Sequence, residues 1–133
     1  MTGAELKTLR ESMGLSVAWL AEKLPNQKTG RLGVTRRRLE LWEAQNTPVP
    51  ENVAEIVSEL HLAWLELVRQ TEANAKASPG VITLHRFHDD ADLWRDQPEL
   101  AGGQWPVKSH AMVLARVKET LKSAEIHYQG EDK

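Results

Sequence analysis

From Pro50 to Lys76 nothing interrupts a helical pattern, and this stretch constrains the fold more than any other. Apolar residues fall at Val53, Ile56, Val57, Leu60, Ala63, Trp64, Leu67 and Val68, spaced for one helical face. Glu51, Glu55, Glu59, Glu66, Arg69 and Glu72 take the other faces. Pro50 suits a first turn, where its missing N–H costs nothing. At the usual rise per residue such a helix is ~40 Å long, which is long for a chain of 133 residues. Its first half can cover a small core. Its second half carries Leu60, Leu62, Trp64, Leu65 and Leu67 round too much of its girth for a solvated helix. That half must pack on the C-terminal segment or on a second copy of the chain.

Ahead of it, punctuation residues divide the chain into three short helices. Thr2 with Glu5 forms a capping box, and Leu6, Leu9, Arg10 and Met13 follow at helical spacing until Gly14 ends the turn. Ser16 caps residues 17–24, with Val17, Leu20, Ala21 and Leu24 on one face, and Pro25 stops that helix. Ala21 is small where the second helix would cross the third. Residues 25–32, P-N-Q-K-T-G-R-L, read as a loop. Thr35 caps a third helix over residues 36–44, with Asn46 expected in the left-handed conformation at its end.

The third helix begins with Arg36, Arg37 and Arg38 in succession. Leu39 and Trp42, three apart, share its buried face. A helix that seats an apolar heel in a core and points arginines outward from its first turn has the form that reading DNA requires. Leu41 falls on the outward side, and two roles are open to it: contact with a thymine methyl, or packing under the 25–32 loop.

The net charge of -2, from 17 basic and 19 acidic residues, argues mildly against a nucleic-acid partner. Its distribution argues the other way. Lys23, Lys28, Arg31, Arg36, Arg37 and Arg38 crowd into one stretch without an acidic residue, whereas residues 81–133 hold nine acidic against seven basic. A phosphate backbone meets the local field, not the sum. The chain has no cysteine, hence no disulfide and no thiolate metal site. No apolar run approaches a membrane span, and no signal-peptide core stands at the N-terminus. The expectation is a cytoplasmic protein with no membrane partner.

Glu5-Leu6-x-x-Leu9-Arg10, Gly14-Leu15-Ser16, Leu20-Ala21, Gly33-Val34-Thr35 and Trp42-Glu43 occur in an order and spacing that resemble the helix-turn-helix of the Cro/Xre class of phage and bacterial repressors. The match covers about the first 55 residues. The resemblance implies an ion pair between Arg10 and Glu43 that is structural. It implies base reading by Arg36, Arg37 and Glu40. Arginine can bond bidentately to guanine, with ~1–3 kcal/mol of discrimination per pair. Ser16, Thr35 and Arg38 are expected on the DNA backbone. The 25–32 segment is an insertion relative to the class. Its Lys28 and Arg31 either add backbone contacts or are ordinary charges on a solvated loop.

After a turn at Ala77-Ser78-Pro79-Gly80, residues 81–87 suit a strand. Asp89, Asp90 and Asp92 favour a helix start, Gly102-Gly103 reads as a loop, and residues 107–123 as a helix with His110, Val113, Leu114, Val117 and Leu121 on one face. Residues 126–128 read as a second strand, paired with the first or across a dimer. Residues 129–133 read as frayed. Trp42-Glu43, Pro50, residues 84–87, Asp92, Trp105 and residues 109–117 together resemble YdiL-like proteins, small regulators that include anti-CRISPR-associated autorepressors. That resemblance implies a homodimer on an inverted-repeat operator, repressing transcription.

The expected architecture is mainly α (α+β). A lambda-repressor-like helix-turn-helix domain takes residues 1–60, and a dimerisation segment built from the long helix's end and an α/β part takes residues 61–133. Leu60, Trp64, Leu67, Leu84, Phe87 and Trp105 are expected at the dimer interface. An enzyme is not expected. His85, His88, Asp89, Asp90 and Asp92 are the one cluster with ligand chemistry, but His85 and His88 would face opposite sides. No metal and no cofactor are expected. The five tryptophans sit at positions that look buried, with Trp19 nearest the basic loop. Two other partners fit the pattern: a toxin, were the chain an antitoxin, or another protein, were it an adaptor that lacks DNA readout.

Overall fold

The computed structural model describes residues 1–130. Among these residues it is mostly helical, with seven helices and a small two-stranded sheet. The chain divides into two compact units, Met1–Ala63 and Trp64–Lys133, against an expected boundary at residue 60.

In the first unit, α1 (Gly3–Ser12) starts where the Thr2 hydroxyl accepts from the Glu5 amide at 3.1 Å. The Thr2 hydroxyl in turn donates to the Glu5 carboxylate. Gly14 closes α1 with φ 67, a conformation that costs glycine little. Ser16 accepts from Trp19 N–H at the start of α2 (Val17–Lys23), and Thr35 accepts from Arg38 N–H at the start of α3 (Arg36–Glu43). Both α1 and α2 pack on α3. Leu6, Leu20, Ala21, Leu24, Leu39 and Val49 form the core with Val53 and Val57 from the first half of α4 (Glu51–Ala77). Ala21 also accepts through its carbonyl from Val34 N–H, which brings the approach to α3 close against α2.

In the second unit the rest of α4 joins β1 (Thr83–Arg86), α5 (Asp90–Asp96), α6 (Pro98–Gly102), α7 (Val107–Thr120) and β2 (Glu125–Tyr128). The strands pair with each other in parallel, Thr83 opposite Glu125 through Arg86 opposite Tyr128. A parallel pair needs a long crossover, and α5, α6 and α7 supply it. Asp89 caps α5 by accepting from Asp92 N–H. The Asp90 carboxylate accepts from Val107 N–H at 2.6 Å, which stitches α5 to the start of α7. Trp94 donates its indole N–H to the Trp105 carbonyl, and Trp64 donates to that of Ser109. Leu84, Phe87, Leu93, Leu100, Val113, Leu114 and Val117 are buried.

Several local expectations need correction. Asn46 is not in the left-handed region; Gln104 is the one non-glycine residue there among those described. The α3 helix instead closes over Ala44, whose N–H donates back to Glu40 and Trp42 carbonyls. Gly102 belongs to a helix that Pro98 starts, not to a loop. The first strand is shorter than residues 81–87, leaving Val81 exposed and Phe87 beyond its end. Leu41 is 44% exposed.

Candidate nucleic-acid interface

The face of α3 that enters the core carries Leu39, fully buried, and Trp42, half-buried. Arg36, Arg37, Arg38 and Glu40 all lie on the exposed side, as do Thr35 and Ser16 at the two caps. The orientation follows from the sequence. Leu39 and Trp42 occupy one stripe, and the arginines precede it in the first turn.

At the far end of α3 the charge is arranged differently. Arg10 Nε donates to Glu43 Oε2 at 2.7 Å and its Nη2 to Oε1 at 2.9 Å, a two-pronged pair. Arg10 Nη1 also donates to the Leu15 carbonyl at 3.0 Å. Both side chains are buried. The hydrogen bond to Glu43 raises the Arg10 pKa above its ordinary value, against the opposing pull of burial. Arg10 therefore clamps α1, the turn after it and α3, and is not offered to a ligand.

The 25–32 segment is an ordered hairpin. Pro25 and Leu32 bridge in antiparallel fashion. Asn26 N–H donates to the Arg31 carbonyl, Gly30 N–H to that of Asn26, and the Asn26 side chain accepts from Lys28 and Thr29 N–H. Gln27 Nε2 donates to Asn52 Oδ1 at the start of α4 and to the Pro25 carbonyl, each at 3.0 Å. Gly33, at φ 110, turns the chain out of the hairpin while its N–H donates to the Leu24 carbonyl at 2.7 Å. Lys28 and Arg31 are exposed on it. Among the described residues the side chains of Lys28, Arg31, Arg36, Arg37 and Arg38 have no hydrogen-bond or ion-pair partner. A cleft of about 420 Å³ lies between hairpin and α3. No sequence pattern announced it, because Gln27 and Asn52 meet across 25 positions.

The residues expected at a dimer interface differ in exposure. Trp64, Leu84, Phe87 and Trp105 are buried in the single chain, at 2–8% exposure. Leu60 is half-buried against the first unit's core, and Leu67 is half-buried. An amphipathic pattern shows that a face is covered, not which chain covers it. The exposed large apolar residues of the second unit are Val81, Ile126 and Tyr128.

His88 stacks on Tyr128, ring centroids 4.0 Å apart. His85 lies on β1, with its Nδ1 buried and without a hydrogen-bond partner among the described residues. Among the described residues no group of three or more His, Asp or Glu side chains is placed to hold a metal ion. His110 is buried on α7 with its ring edge-on to Phe87. Burial pulls its pKa down to about 4, with Asp96 opposing weakly. None of the five tryptophans is exposed, and Lys23 sits over the Trp19 ring at 5.1 Å. No described helix is long and apolar enough to cross a membrane.

No protein-family model matches the chain, and no curated protein matches it.

Proposed function

We propose that the chain is a sequence-specific, double-stranded-DNA-binding transcriptional regulator, a homodimeric repressor of the Cro/Xre type acting on an inverted-repeat operator. In this reading α2 and α3 are a helix-turn-helix, and α3 enters the major groove. Arg36 and Arg37 read bases, with Glu40 one turn on. Ser16, Lys28, Arg31, Thr35 and Arg38 hold the backbone. Arg10 and Glu43 set the angle between α1 and α3. One observation carries the reading. Five cations without a partner among the described residues stand on and beside the exposed first turn of a helix whose other face is locked into a core. Unpaired cations gathered at one place raise the local potential that a phosphate backbone meets.

Selection of bound duplexes from a random pool, followed by titration over a range of salt, tests it. Log affinity should fall linearly with log salt, with a slope of about -0.9 per phosphate neutralised. Arg36→Ala and Arg37→Ala should each relax preference at one base position by ~1–3 kcal/mol. Equal loss on every duplex would move that arginine to the backbone. A chain with no saturable, salt-sensitive duplex binding would be an adaptor instead.

A further inference from the structure

The insertion between α2 and α3 is more ordered than a solvated loop requires. Eight residues that only joined two helices would have no need of a side-chain bond to a third. Here Gln27 reaches Asn52 at the start of α4, and Asn26 closes the turn from inside through both its backbone and its side chain. The outcome is a fixed wall opposite α3. Asn26, Gln27 and Lys28 line the cleft from the hairpin, and Val34, Thr35, Arg38 and Trp42 line it from α3 and the residues leading into it. No carboxylate among the described residues lines it. Lys28 and Arg38 thus face a shared space from two separate elements, neither with a partner of its own among the described residues.

We propose that this cleft is the seat of one backbone phosphate of duplex DNA, held between Lys28 and Arg38, and that the Gln27–Asn52 hydrogen bond is the positioning device that keeps Lys28 in place. The proposal rests on the DNA-binding reading and adds a site to it. Two cations from separate elements, with the Asn26 amide and the Thr35 hydroxyl also lining the cleft, suit an anion carrying several acceptor oxygens. Nothing in the lining discriminates one base from another, so the seat adds affinity and register but no sequence preference. A hairpin already ordered before binding loses little conformational freedom when it meets the backbone. The insertion is then a preformed wing that extends the footprint of α3 along the duplex.

The test uses the full chain and a selected duplex, with Lys28→Ala, Asn52→Leu and the pair combined. Lys28 and Asn52 are both exposed, and unchanged thermal midpoints verify folding. Lys28→Ala should weaken specific and non-specific duplexes alike and lower the salt slope by about 0.9. Asn52→Leu removes no charge, yet should weaken duplex binding too. In the Lys28→Ala background it should have almost no further effect, because the residue it positions is gone. A wild-type slope in Lys28→Ala overturns the seat while leaving the DNA reading intact. Additive losses in the combined variant overturn the positioning role. A wild-type chain that binds no duplex overturns both.

Discussion

At the scale of single residues, charge placed in the core has consequences that charge on the surface lacks. The Arg10–Glu43 pair is buried and two-pronged, so losing either partner strands an ion inside the first unit. Arg10→Ala or Glu43→Ala should cost about 3–5 kcal/mol, whereas replacing both by methionine and leucine should cost far less. Urea unfolding of the three variants would show it; equal losses would mean that the pair stabilises the fold outright. His110 is the second case. Folded, it stays neutral down to about pH 4; unfolded, its imidazole titrates near 6.5. Between those values the unfolded chain holds a proton that the folded chain does not. Its contribution is therefore whole above pH 6.5, declines as pH falls, and is flat below about 4. The loss should be on the order of 3 kcal/mol. His85, Asp96 and Glu99 line the same cavity, so the comparison must be with His110→Gln. If unfolding profiles of the two proteins run parallel from pH 7 to 4, His110 is not the source.

At the scale of elements, caps and stops were written locally and close approaches were not. Thr2, Ser16, Thr35 and Asp89 each cap the helix that follows, because a side chain three positions from an amide needs only local geometry. Pro98 starts α6, where its missing N–H costs nothing. Gly3 is the clearest case of a role set from outside its own segment. A Cβ there would lie 1.8 Å from the Trp42 carbonyl oxygen and 2.4 Å from that of Gln45. Its absence lets the first turn of α1 lie against the end of α3. Gly3→Ala should destabilise the first unit by roughly 1–3 kcal/mol, although alanine is the better helix former. Gly102, with nothing within 4 Å, provides the contrast, and Gly102→Ala should be neutral or stabilising. Thermal midpoints that move together would show that the α1–α3 approach yields.

At the scale of the whole molecule, one exposed α3 per chain requires two chains to read an inverted repeat. Under the proposed function, α3 of each copy meets one half-site, and the half-sites are about one helical turn apart. Adding ~5 base pairs between them turns one half-site to the opposite side of the duplex. Affinity should then fall to that of a single half-site; an unchanged affinity would mean that the chain reads DNA as a monomer. Trp64, Leu84, Phe87 and Trp105 are buried within the single chain.

The periodicity from Pro50 onward, the caps and the stops determined that the chain makes short helices and then a long one, because those signals act within a few residues. The exposed arginines of α3 were legible for the same reason, since Leu39 and Trp42 orient them. Tertiary structure alone decided the rest. It made the 25–32 segment a hairpin tied to α4, paired β1 with β2 in parallel, and buried Trp64, Leu84, Phe87 and Trp105 within the chain. Each of these joins residues far apart in the chain. Hydrophobic pattern states that a side chain must be covered, and only packing selects the residue that covers it.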